Sequence, residues 1–172
     1  SFQLSVKARD SFGSSTEGNF TITLLNDPSD DTLITQALSD SNFQTAVNLW
    51  FDNQAEANAT DGHISDWNVS AVTDMANTFK GRTNFNENIN SWDVSSVTNM
   101  AHMFSEAITF NQPIGSWNTS SVISMARMFR KAAAFNQPIG DWNVSSVENM
   151  AAMFAESVFN QPIGDWNVSS VS

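Results

Sequence analysis

The chain contains no cysteine and only 2 histidines, His63 and His102, among its 172 residues. The first absence excludes disulfides, thiolate metal sites, iron–sulfur ligation and cysteine nucleophiles together. Positive charge is also scarce: 7 Lys and Arg stand against 18 Asp and Glu, a formal net charge of −11. Nonspecific binding to nucleic acid or to an anionic membrane depends on clustered positive charge, so the composition argues against both. No apolar run approaches the roughly 20 residues of a spanning helix, and residues 1–30 lack the basic-then-apolar layout of a secretion signal. The length suits roughly one domain or two small ones.

What is present is a period. Trp67, Trp92, Trp117, Trp142 and Trp166 follow one another at intervals of 25, 25, 25 and 24, and all 7 methionines fall in the same region. Two copies read IGSWNTSSVISMARMFRKAAAFNQP from Ile114 and IGDWNVSSVENMAAMFAESVFNQP from Ile139. The first copy starts at Ile64 and the fifth at Ile163. Such regularity predicts one supersecondary unit copied and stacked, with both ends of the chain read as cut from something longer.

Within each copy, Ile89, Trp92, Val94 and Val97 occupy relative positions 1, 4, 6 and 9, the spacing of a leucine-rich repeat, which predicts a short strand over 92–95. Val97, Met100, Ala101 and Phe104 then fall at i, i+3, i+4 and i+7, which predicts a short helix. Ser145 and Glu148 have capping-box spacing at the head of the corresponding helix. The closing Phe110-Asn111-Gln112-Pro113-Ile114-Gly115 predicts a turn in which Gly115 takes a positive φ. One copy cannot bury its own Trp, Met and Phe, so neighbours must stack.

Residues 32–62 read as a helical cap, with a first helical stretch over 32–38. In the second, Phe43, Ala46, Val47, Trp50, Phe51 and Ala55 lie at helical spacing behind a Ser41/Gln44 capping box. Residues 1–27 alternate on either side of Asp10-Ser11-Phe12-Gly13 and predict a β-hairpin, the end of a β-sandwich module, with 28–31 as linker. The expected fold is therefore an α/β repeat: a right-handed leucine-rich-repeat-like solenoid of about five turns over 63–172, with a helical N-terminal cap and a short β-hairpin before it.

The unit W-[ND]-V-S-S-V-x-x-M-x-x-M-F, the recurring F-N-Q-P and the cap Phe43-Gln44-Thr45-Ala46-Val47-Asn48-Leu49-Trp50 resemble the bacterial surface repeat of BspA-like antigens and mycoplasma lipoproteins. That resemblance spans 32–172. It implies a leucine-rich-like solenoid on secreted or surface-anchored proteins, an adhesive role, and no catalytic residues. Residues 1–27 resemble the end of a cadherin-like or immunoglobulin-like module. Boundary carboxylates in cadherins bind calcium, so this second resemblance implies Asp27, Asp30 and Asp31 as calcium positions, although the boundary here reads Leu25-Asn26-Asp27-Pro28.

Alternation along the repeat strand leaves polar rows exposed. Their candidate binding residues are Asp66, Asp141 and Asp165 in one row and Asn68, Asp93, Asn118, Asn143 and Asn167 in the next. They form an acidic, hydrogen-bonding face for a protein, a glycan or calcium, or else they serve only to ladder with their own kind and to cap. The Trp row suits a core by its spacing, with a sugar-stacking platform as the competing reading. Asn86, Asn111, Asn136 and Asn160 recur after a Phe and read as turn residues. Neither histidine has a metal- or acid-base-like neighbourhood in sequence, and no Ser/His/Asp order or G-x-S-x-G is present.

The sequence therefore predicts a non-catalytic adhesion or protein-interaction scaffold, extracellular or at the cell surface. Its partner would be a protein or glycan on another cell or matrix, with no nucleic acid and no insertion into the membrane. A glycan-binding module and a structural spacer are the alternatives. The open turn from Trp166 onward offers a route to self-association.

Overall fold

The computed structural model describes residues 37–172 and the two short strands β1 (Ala8–Arg9) and β2 (Ser15–Thr16). The chain separates into two compact units, Ser1–Leu33 and Ile34–Ser172. In the first, β1 and β2 pair antiparallel with Ala8 opposite Thr16 and Arg9 opposite Ser15, a hairpin across the segment that contains Gly13. Asp27, Asp30 and Asp31, the linker 28–31 and most of the helical stretch expected over 32–38 lie outside the described residues.

The second unit begins with helices α1 (Phe43–Asp52) and α2 (Gln54–Thr60), followed by a single 3-10 turn, Ile64–Asp66. The expected capping box at α1 is not formed. Ser41 Oγ meets Ser39 Oγ, Gln44 donates to Asn48 Oδ1, and Asn42 Oδ1 accepts from the Ser39 N–H. α1 turns Phe43, Ala46, Val47 and Trp50 inward. Edge-on contacts of Trp50 with Trp67, of Phe43 with Trp92 and of Phe51 with Phe79 and Phe85 lay this helix over the first two turns of the repeat. Gly62, with φ 76°, ends the cap and its carbonyl accepts the Trp67 indole N–H.

From Ile64 onward the repeats stack in register. The Phe79, Phe104, Phe129 and Phe154 rings form one parallel column at 5.5, 5.5 and 5.7 Å, and Phe85, Phe110, Phe135 and Phe159 form a second. Trp67, Trp92, Trp117 and Trp142 are buried, and the indole N–H of Trp92, Trp117 and Trp142 donates to the carbonyl of Ile64, Ile89 and Ile114 respectively, each in the preceding turn. The Trp row is thus core.

The helix and strand expected inside each repeat are not formed. Regular pairing is reduced to isolated parallel bridges, Asp74 to Asn99 to Ser124 to Asn149, which lie after Val97 and its equivalents rather than over 92–95. Over 92–95 the side chains do alternate in and out, as in a strand. The links between turns there come from side chains: Ser121 Oγ donates to the Ser95 carbonyl, Ser170 Oγ to that of Ser145, and buried Thr119 to that of Asn143. Ser145 likewise serves Asn143 Oδ1 and caps no helix.

Where the helix was expected, alternate N–H groups point along the stack. Those of Met100, His102, Phe104 and Glu106 donate to the carbonyls of Ser124, Ala126, Met128 and Arg130 in the next turn. The N–H groups of Met103, Ser105 and Ala107 close three-residue turns onto Met100, His102 and Phe104. An α-helix would send all of them to i−4. Left-handed residues at His102 and Glu106, repeated at Arg127 and Lys131 and at Ala152 and Glu156, interrupt any helix. Each such residue costs about 1–2 kcal/mol outside glycine, offset here by the bonds that the alternation opens to the next turn.

At the leading end no earlier turn supplies acceptors, and Asp40 takes that place. Its Oδ1 accepts from the Thr73 and Asp74 N–H groups at 2.7 and 3.1 Å, and its Oδ2 accepts from the Thr73 hydroxyl. In later turns the Thr73 carbonyl accepts from Thr98 and Asn99 in the same way. The Thr73 hydroxyl, the Thr73 N–H and the Asp74 N–H hold the Asp40 carboxyl below its ordinary value, against a small opposing effect of burial. A depressed folded pKa adds stability above the unfolded value, which is lost as pH falls through the folded one. Asp40→Asn keeps one oxygen to accept the Thr73 and Asp74 N–H groups and loses the charge together with the oxygen that accepts the Thr73 hydroxyl. Wild type is expected to exceed this variant in denaturation midpoint at neutral pH, with the gap closing on acidification from about pH 5 to about pH 2. A gap independent of pH would show that the charge contributes nothing.

Candidate functional site

The Asn/Asp row expected on the open face is occupied by its own turns. Oδ1 of Asn68, Asp93, Asn118, Asn143 and Asn167 accepts the N–H two residues on, from Ser70, Ser95, Ser120, Ser145 and Ser169. These Asx turns replace backbone pairing. The Ser95 hydroxyl and N–H also hold the Asp93 carboxyl below its usual value, against slight desolvation. Asp141 and Asp165 are exposed, and no hydrogen bond reaches their side chains among the described residues. The Asn86, Asn111 and Asn136 side chains accept from the N–H of Asn111, Asn136 and Asn160 in the next turn, a structural ladder.

Among the described residues, the candidate Asp66 lines a groove. The groove, of about 410 Å³, is lined by His63, Ser65, Asp66, Glu87, Asn88, Asn90 and Ser91. Three features of the fold build it. His63 precedes the 3-10 turn, its ring edge-on to Trp50 of α1 at 4.8 Å between centroids, and its Nδ1 meets Ser65 Oγ at 2.8 Å. Ser65 Oγ donates to Asp66 Oδ1, and the Ser91 hydroxyl donates to the Ser65 carbonyl at 2.6 Å, which ties the two turns together. One turn on, Glu87 brings Oε2 to 3.9 Å from His63 Nε2, and the Asn90 N–H donates to Asn88 Oδ1.

Chemically, the groove offers carboxylate acceptors at Asp66 and Glu87 beside amide and hydroxyl groups at Asn88, Asn90 and Ser91, with the His63 ring between the turns. Among the described residues no group of three or more His, Asp or Glu side chains converges to hold a metal ion. Of the groove residues, sequence reasoning proposed Asp66 as a candidate and weighed His63 but set it aside, and did not single out Ser65, Glu87, Asn88, Asn90 or Ser91. The missed signal was departure from the repeat: later turns read Gln112-Pro113-Ile114-Gly115 where this one reads Glu87-Asn88-Ile89-Asn90.

The other histidine lies elsewhere. His102 is partly buried at a left-handed position, and desolvation, then the charges of Lys80, Arg127 and Arg130, push its pKa down. Arg130 bridges Glu106 and Glu156, and Arg82 sits over the Phe51 ring at 4.2 Å. No helix among the described residues is long and apolar enough to cross a membrane.

A comparison with known families matches residues 45–166 to the family described as Mycoplasma protein of unknown function, DUF285. No curated protein and no solved structure matches the chain.

Proposed function

The chain belongs to this DUF285 family, and from that premise we propose that it is a non-catalytic scaffold of the bacterial cell surface that holds a protein ligand in the groove of its first two turns. One observation carries the reading: the groove lies where the repeat departs from its own pattern. Stacking makes the same demands at every interior turn, so a departure that stacking does not require is free to serve recognition. Here Glu87, Asn88 and Asn90 stand where later turns have Gln, Pro and Gly, and all three line the groove with His63 and Asp66. Mixed carboxylate and amide groups suit the backbone and basic side chains of a polypeptide. Burial of Trp67, Trp92, Trp117 and Trp142 removes the aromatic platform on which a sugar would stack.

The test restores the repeat. The triple variant Glu87→Gln, Asn88→Pro, Asn90→Gly matches the later turns and is expected to keep the fold by circular dichroism and thermal midpoint. Binding of the immobilised protein to a panel of extracellular-matrix proteins is expected to fall about tenfold or more, as for loss of a central contact cluster. Equal binding by variant and wild type would overturn the groove as the site. Binding to a glycan array alone would favour the sugar-binding reading, and no binding to either panel the spacer.

A further inference from the structure

The groove of the first two turns sets two carboxylates in one hollow with no standing positive charge beside them. Asp66 and Glu87 come from successive turns, and no Lys or Arg is among the lining residues. On the neighbouring elements the acidic residues are Asp52, which ends α1, Glu56 of α2, whose Oε2 accepts from Asn53, and Asp61, which follows α2. The nearby Arg82 is engaged by the Phe51 ring and by Asn48. A cation is the group that complements such a hollow.

The lining group able to become positive is His63, and its hydrogen bonds fix where the proton goes. Its Nδ1 accepts the Ser65 N–H at 3.3 Å, so in the neutral ring the proton sits on Nε2, the atom 3.9 Å from Glu87 Oε2. Ser65 Oγ stands 2.8 Å from the same Nδ1 and 3.1 Å from Asp66 Oδ1. A hydroxyl has one proton to give, so beside a neutral ring Ser65 serves either Nδ1 or Asp66. Protonation of the ring must occur at Nδ1. The new N–H then donates to Ser65 Oγ, the hydroxyl proton turns to Asp66, and the ring's charge lies beside Glu87. One proton thereby engages both carboxylates of the groove.

We infer that the groove takes a Lys or Arg side chain of the protein ligand between Asp66 and Glu87, and that protonation of His63 releases it by placing a resident cation on the same two carboxylates. The inference rests on the groove being the ligand site. Histidine in general changes charge at about pH 6.5 and carboxylates at about pH 4, so between these values the groove gains a positive charge while its carboxylates stay ionised.

The probe is the end-capped peptide AARAA, titrated into the full chain, with the amide signals of Asn88, Asn90 and Ser91 read by NMR. It is expected to shift these signals and to bind about fivefold more weakly at about pH 5.5 than at about pH 7.5, the effect of a like charge nearby in an open site. The same peptide with citrulline in place of Arg keeps the shape, loses the charge and is expected to leave the signals unmoved. His63→Asn, whose amide oxygen still caps the 3-10 turn, is expected to bind AARAA with one affinity at both pH values. Because linkage is reciprocal, saturating AARAA should also lower the pH at which the wild-type His63 ring protonates, a reading that needs no variant. The inference is overturned by no response to AARAA, by equal binding of the citrulline peptide, by a wild-type affinity that does not change with pH, or by a pH dependence that survives in His63→Asn. Failure of the groove reading looks different. Loss of matrix-protein binding in the triple variant without any response to AARAA keeps the groove and strikes this inference, whereas a response to AARAA with matrix binding untouched by the triple variant strikes the groove as the site of that ligand.

Discussion

Trp117→Ala is expected to lower the unfolding free energy by about 3–5 kcal/mol, the usual cost of emptying a large aromatic site in a core that cannot collapse. Trp117 is 4% exposed, and its indole N–H donates to the Ile89 carbonyl one turn earlier. Its ring stacks on Trp142 and Phe104. Removal therefore opens a cavity, orphans a buried carbonyl and breaks the aromatic column where turns meet. Stability in a stacked array is a sum over neighbour interfaces, so a break in the middle also uncouples the two sides. Equilibrium denaturation should accordingly show a lower midpoint and a broadened transition. Trp166→Ala is the control: Trp166 is only half-buried and contacts Phe154 on one side. Its loss is expected to cost about 1 kcal/mol, the low end for a partly exposed apolar group. Equal costs at the two positions would mean that the column does not carry the stability.

Gly115→Ala is expected to cost about 1–3 kcal/mol by overpacking, although the residue lies in no special backbone conformation. A Cβ built at Gly115 would stand 2.5 Å from the Pro138 carbonyl oxygen, a backbone atom of the next turn. The turns would have to part to admit it. The equivalent atom at Gly140 would meet the Pro162 carbonyl at 2.8 Å, whereas at Gly164 nothing lies within 4 Å. Gly164→Ala is therefore expected to be neutral or stabilising by about 0.4–1 kcal/mol through the unfolded chain. Thermal midpoints of the three single variants should rank Gly164 above Gly140 above Gly115. The positive φ expected for Gly115 from its sequence is not observed; the glycines with positive φ among the described residues are Gly62 and Gly81. Close approach of a neighbouring backbone, rather than backbone freedom, is why glycine stands there.

The same distinction runs through the candidate site. The candidate rows along the sequence were drawn from residues that recur, yet recurrence marks what every turn needs. Asn68, Asn118 and Asn143 recur because each closes its own Asx turn. The groove residues Glu87, Asn88 and Asn90 do not recur, and only the stacking of turns brings them beside His63 and Asp66.

By itself the sequence determined the period, the stacking and the core. Burying Trp, Met and Phe in one copy is impossible, and a 25-residue recurrence leaves neighbours as the only cover. It also determined the amphipathic α1, whose Phe43, Ala46, Val47 and Trp50 face inward, although the helix ends at Asp52 and Ala55, expected on the same stripe, lies exposed on α2. Only the tertiary structure decided the backbone of the repeat. Val97, Met100, Ala101 and Phe104 have the spacing of a helix stripe, but overlapping three-residue turns also bury Val97, Met100 and Phe104, leaving Ala101 half-buried and adding Met103, so the stripe alone cannot separate the two. The choice falls to hydrogen bonds that a single repeat does not possess. Once a second turn lies alongside, N–H groups such as those of His102 and Phe104 find carbonyls across the gap, and the left-handed residues that would ruin an isolated helix become the means of reaching them.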